Sequence, residues 1–104
     1  MIDIERELRT AIKTGKVLIG SKSTLKSLRL GKSKMIIIAS NCPLNIREDI
    51  EYYCKLSSTP YYVYPGSSWE LGALCGKPFM VAALSINDPG ESNILSLVKT
   101  EEEG

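Results

Sequence analysis

The chain has no histidine, only three cysteines, one phenylalanine and one tryptophan. Without an imidazole, proton transfer near neutral pH falls to thiols, lysines or carboxylates with displaced pKa values. Cys42, Cys54 and Cys75 form no C-x-x-C pair. An odd, unpaired set points to reduced thiols in a cytosolic compartment, and three thiols without a histidine do not complete a structural zinc site. No cofactor is expected. No apolar run approaches the ~20 residues of a membrane span, and no signal-peptide pattern opens the sequence, so no membrane partner is expected. Internal repeats, linkers and low-complexity segments are also missing.

Acid is absent from one long segment. From Arg9 to Lys34 there are eight basic residues and no Asp or Glu. Residues 1–8 hold three acids and one base, and residues 35–104 hold nine acids and four bases. The formal net charge of +1 therefore conceals a basic block set against an acidic remainder. A neutral average with one concentrated block points to a localised polyanion site.

What is present is enough for one globular domain. At 104 residues, with 43% hydrophobic and 24% charged, the chain can bury a core without staples. Ile4, Leu8, Ala11 and Ile12 repeat at helical spacing and predict a helix over residues 3–13, ended by Gly15. Lys16–Ile19 reads as a strand, followed by a helix to about Leu30. Met35–Ala39 is an unbroken apolar run and reads as a central strand covered on both faces. Pro43 opens a helix whose apolar positions are Ile46, Ile50, Tyr53 and Cys54, with Glu48, Asp49 and Glu51 facing water. Pro60–Tyr64 reads as a short aromatic strand. Ser67-x-x-Glu70 matches a capping box for a helix through Leu74, with Gly76 closing it. Phe79–Ile86 reads as a second long strand, and a last short helix is expected around Ile94–Val98 before a frayed tail at 101–104. Alternation of this kind predicts an α/β fold, a three-layer α/β/α sandwich around a four-stranded sheet. Strand order is not readable.

The functional signal centres on Gly20-Ser21-Lys22-Ser23-Thr24-Leu25-Lys26, where a strand hands over to a helix. A glycine there lets the backbone turn sharply and approach a partner. Ser and Thr can cap the helix start, whose free N–H groups favour an anion. Lys22, Lys26 and Arg29 fall at i, i+4 and i+7 and project as one basic stripe, with Leu25 and Leu28 turned toward a core. Two further strand-to-helix turns, Asn41-Cys42-Pro43 and Gly66-Ser67-Ser68, would join this one at a single edge if the strands are parallel. Asn41 can donate to and accept from a base edge, or can cap the helix that follows it.

Catalysis is poorly supported. Gly31-Lys32-Ser33 imitates the end of a phosphate-binding loop but precedes a strand, and position 26 is lysine where the pattern needs glycine. Cys42 lies near a helix start, where its pKa could fall, but no base is paired with it. The carboxylates Glu48, Asp49 and Glu51 sit on a polar helix face. No acid/base set is assembled.

Several of these stretches together resemble the large-subunit ribosomal protein thirty-e family of archaea and eukaryotes: Gly20–Lys26, Ala39-Ser-Asn-Cys-Pro43, Glu51-Tyr-Tyr53, Glu70-Leu-Gly72 and Asp88-Pro-Gly-Glu-Ser92. The likeness runs over nearly the whole chain. It implies membership of the kink-turn-binding superfamily that includes the seven-Ae ribosomal protein. Members bind sharply bent RNA internal loops in which sheared G·A pairs flank a bulge, using an α/β/α sandwich with a mixed sheet. By position, the resemblance implies that Gly20 and Lys22 approach the guanine-rich stem, with Lys26 nearby. The same resemblance implies that Asn41 contacts a guanine of the sheared pairs, that Gly66–Ser68 lies by the bulged nucleotides, and that Phe79 corresponds to an aromatic that stacks on RNA in some members. Trp69 stands where smaller or polar residues are common.

The RNA-binding set expected from residues and resemblance is Gly20, Ser21, Lys22, Thr24, Lys26, Asn41, Cys42, Pro43, Gly66, Ser67, Ser68, Lys77 and Phe79. The expected protein is a non-enzymatic constituent of the large ribosomal subunit in the cytoplasm, with rRNA and neighbouring ribosomal proteins as partners and no DNA. A free kink-turn scaffold or a binder of its own message is the alternative within the class. A small α/β enzyme or anion-binding module is the alternative outside it.

Overall fold

A computed structural model describes residues 3–96. It contains α1 (Ile4–Thr14), β1 (Lys16–Ile19), α2 (Ser21–Arg29), β2 (Met35–Ala39), α3 (Leu44–Ser57), β3 (Tyr61–Tyr64), α4 (Ser68–Leu74) and β4 (Ala83–Asp88). Asp3 caps α1 by accepting the Arg6 N–H at 3.3 Å, and the Gly15 N–H closes its last turn on the Ala11 carbonyl.

The sheet order is β1-β4-β2-β3. β2 and β3 are parallel, whereas β4 runs antiparallel to both β1 and β2. Strands β1, β2 and β3 therefore all point one way, and β4 alone points back. The two apolar strands are the central pair. All five residues of β2 are buried, as are the first four of β4.

Alternation along β2 divides the core. Met35, Ile37 and Ala39 join Leu84 and Ile86 under Leu8 and Ala11 of α1 and Leu71 and Leu74 of α4. Ile36, Ile38 and Ala83 face Leu28 of α2 and Ile50 and Cys54 of α3. With period two, each side chain on a strand goes to one face only, so one run supports two helical layers. The α/β sandwich with a mixed sheet is the architecture expected. On the α2 side, Ser85 is fully buried, and its hydroxyl bonds Ser33 at 2.7 Å and the Asn87 Oδ1 at 2.6 Å. The Gly31-Lys32-Ser33 turn is thus held by structural bonds, with the Lys32 N–H on the Ser27 carbonyl.

Three expectations change. β4 begins at Ala83, not Phe79, because residues 79–82 lie against α4 rather than pairing regularly with a strand. The Val81 N–H donates to the Ser68 carbonyl at 3.0 Å, and a Cβ at Gly72 would collide with the Phe79 carbonyl. Glu51 does not simply face water, since it is half-buried and pairs with Arg47 at 3.0 Å. The third member of the basic stripe, Arg29, lies over the Tyr53 ring at 5.1 Å instead of projecting freely beside Lys26. The helix expected around Ile94–Val98 is described only to Ser96, where Ile94 is buried beside α1; Val98 and the 101–104 tail lie outside the described residues.

Candidate nucleic-acid interface

Because β1, β2 and β3 run parallel, their C-terminal ends share one edge of the sheet. Gly20, the Ser40–Pro43 turn and the Gly66–Ser68 turn all follow those ends, as expected. The segment entering β4 arrives at the same edge from the opposite direction.

Hydrogen bonds fasten these pieces to one another. The Gly20 N–H donates to the Ala83 carbonyl at 2.9 Å, and the Ala39 N–H to the Ala82 carbonyl at 2.8 Å. Ser40 gives both its N–H (3.1 Å) and its hydroxyl (2.9 Å) to the Gly66 carbonyl. Asn41 Oδ1 accepts the Ser68 N–H at 2.7 Å. Sequence leaves Asn41 capping its own following helix as an alternative, but the structure has it cap α4. The N-cap of α3 is Pro43, which offers no side-chain bond. Only the amide oxygen can accept from a backbone N–H, so the Asn41 Nδ2 keeps its two donors for a partner on this exposed turn.

Gly20 is the N-cap of α2 and has φ +110° and ψ 150°, a conformation disfavoured for any residue with a Cβ. A Cβ placed there meets nothing within 4 Å, so the glycine opens the surface as well as permitting the turn. The expected Ser/Thr cap of α2 does not form. Thr24 is fully buried, and its hydroxyl donates to the Gly20 carbonyl at 2.8 Å, bracing the turn from inside. Ser21 is half-buried, while Lys22 and Lys26 are exposed. The one ion pair among the described residues is Arg47–Glu51, so both lysines carry unneutralised charge.

On α4 the Ser67 hydroxyl caps the helix by accepting the Glu70 N–H at 3.3 Å, which supplies half of the anticipated capping box. Ser68 is buried, with its N–H and carbonyl both bonded internally. Thr24 and Ser68 therefore shape the edge without presenting a side chain to it. Pro43 is exposed and Cys42 half-buried. Burial pushes the Cys42 thiol pKa up, partly opposed by the nearby Arg47 charge, which reverses the lowering that the helix start suggests. No group of acids and cysteines among the described residues is arranged to hold a metal ion.

Phe79 is 52% exposed although it does not begin a strand. Lys77 is exposed just beyond the C-terminal end of α4, with its N–H on the Gly72 carbonyl. Leu44 and Met80 have no role in the expected set, and Trp69 stands outside it as a departure from the family pattern. Leu44 and Trp69 open α3 and α4 at this edge, and all three are more than half exposed. For the two helical residues the signal is phase. Leu44 is out of register with Ile46, Ile50 and Cys54, and Trp69 with Leu71 and Leu74.

The surface is thus a rigid edge with open backbone at Gly20, free amide donors at Asn41, two unpaired lysines and exposed apolar side chains. Phosphate contact, base-edge recognition and stacking all fit such a set. A model described as the Ribosomal protein L7Ae/L30e/S12e/Gadd45 family matches residues 2–96. The chain is 56% identical over 97 residues to the large ribosomal subunit protein eL30 of Methanothermobacter thermautotrophicus, covering 93% of this chain and 99% of that protein. It is 51% identical over 105 residues to the eL30 of Methanopyrus kandleri, covering 100% and 96%. Against the eL30 of Pyrobaculum calidifontis the identity is 56% over 99 residues, covering 95% and 98%. With a mixed α/β sandwich, the predicted turns brought to one edge and likeness along nearly its whole length, the chain belongs to the ribosomal protein L7Ae/L30e/S12e/Gadd45 family.

Proposed function

We propose that this protein is a non-enzymatic, structural constituent of the large ribosomal subunit that binds rRNA through the strand-end edge, at a sharply bent internal loop of kink-turn type. The observation that carries the reading is the Asn41–Ser68 hydrogen bond, which locks two helix starts together and leaves the Asn41 amide donors facing out. A guanine edge offers the acceptors N7 and O6 to such donors. Gly20 admits the RNA backbone, and Lys22 and Lys26 neutralise phosphates. Recognition is of a preformed shape, because the edge is fixed by backbone bonds and has little freedom to adapt. Neighbouring ribosomal proteins, and no DNA, complete the set of partners in the cytoplasmic ribosome. No helix among the described residues is long and apolar enough to cross a membrane.

The test is titration of a kink-turn hairpin against the same hairpin with its sheared G·A pairs replaced by Watson–Crick pairs. The kink-turn should bind at least tenfold tighter, about 1.4 kcal/mol. Its log K should fall with log salt at a slope of about −3 to −4, for ~4 phosphate contacts. Equal affinity for the two hairpins, or a flat salt profile, overturns the reading. Co-sedimentation with large subunits separates the ribosomal role from a free scaffold.

A further inference from the structure

The basic block has members that the strand-end edge does not use. Arg9 and Lys13 belong to it, and with Arg6 they occupy i, i+3 and i+7 on α1, so they share one face. That face borders a groove of about 490 Å³ between α1 and the C-terminal end of α4. Its floor includes Ile12, Leu74 and Cys75. All three cations are exposed, and none takes part in an ion pair among the described residues.

α1 and α4 cover one face of the sheet, and α2, with Lys22 and Lys26, covers the other. The groove is therefore a second basic surface, on the layer opposite Lys22 and Lys26 and at the far end of α4 from the strand-end edge. We propose that it holds a second stretch of RNA backbone, so that the protein clamps two segments of folded RNA on opposite layers of the sandwich. The proposal rests on the rRNA-binding reading and extends it to a new site.

The geometry suits a strand of phosphates. Seven residues of helix span about 10.5 Å, a length over which the three cations can follow a few consecutive phosphates of one strand. The apolar floor favours the low-polarity sugar face over a fully hydrated ion. Acids are few here. Glu5 and Glu70 approach with Arg9 around the Tyr64 hydroxyl, and neither lies within ion-pair distance of a groove cation. Glu7 is turned away, its carboxylate accepting the Asn93 N–H at 2.8 Å.

The experiment compares the triple variant Arg6→Gln/Arg9→Gln/Lys13→Gln with wild type on two probes: a short kink-turn hairpin and full-length large-subunit rRNA. The variant should match wild type on the hairpin within about twofold, since that RNA occupies only the strand-end edge. On full-length rRNA it should bind at least tenfold more weakly, with a salt slope shallower by about 2–3, the share of three phosphates. Unchanged binding to both probes overturns the proposal. Equal weakening on both also overturns it, because the groove would then belong to the first site. Gly20→Val is the control for the underlying reading. If it leaves hairpin binding intact, the strand-end edge is wrong, whatever the triple variant does. A melting curve for each variant separates lost folding from lost contact.

Discussion

The side-chain oxygen of Asn41 accepts the backbone N–H of Ser68 at 2.7 Å, across 27 positions of sequence. One amide thereby does two things. Its oxygen satisfies a helix-start donor of α4, and its nitrogen is left for a partner.

These roles separate by substitution. Asn41→Asp keeps an acceptor and places a negative charge at a helix start, so stability should hold or rise by about 0.3–1 kcal/mol. RNA affinity should nevertheless fall more than tenfold, because the donors are gone and the new charge faces phosphates. Asn41→Ala should lose about 0.5–1.5 kcal/mol of stability as well. Thermal melts and RNA titrations of both variants check this. An Asn41→Asp protein with normal affinity would exclude the amide from recognition.

Gly20→Val should abolish hairpin binding at a cost of about 1–3 kcal/mol in stability. The cost comes from φ +110° alone, since a Cβ meets no neighbour within 4 Å. A lower melting temperature with a preserved native spectrum is the expected signature.

Phe79→Ala should cost less than about 1 kcal/mol of stability, because the ring is 52% exposed and lies outside both core clusters. If the ring stacks on RNA, affinity should drop by about 1–3 kcal/mol. A large loss of stability with unchanged affinity for the folded fraction would make Phe79 a packing residue instead.

Burial, assisted by the Glu51 charge, pushes the Cys54 thiol pKa up to about 12 from an ordinary 9. Between these values the unfolded chain has lost a proton that the native state keeps. Stability is therefore unaffected below pH 9 on this account and falls as pH rises from 9 toward 12. Melting temperature should decline over that window, and less steeply in Cys54→Ala. The Cys75 thiol, raised to about 11, acts in the same direction. Alkylation at pH 8 should be slow at both. Cys42→Ser should change RNA affinity less than tenfold, because its thiol pKa is also raised and the side chain packs against the buried cluster that holds Ile36, Ile38 and Ile50.

Local pattern alone determined most elements of this fold. β1 and β2 have the bounds their apolar runs suggest, and Ser67 and Gly76 mark the two ends of α4, because hydrophobic period, caps and glycine turns act over a few residues. The acid-free block and the three strand-to-helix turns were legible for the same reason. Tertiary structure decided whatever depends on distant partners. Residues 79–82 have the apolar content of a strand, yet the Ser68 carbonyl and the bare surface of Gly72 draw them onto α4. Arg29 at the end of the lysine stripe lies over a ring because α3 brings Tyr53 beneath it. The three turns form one edge only because β1, β2 and β3 run parallel, and pairing direction is settled by contacts between strands that no local periodicity encodes.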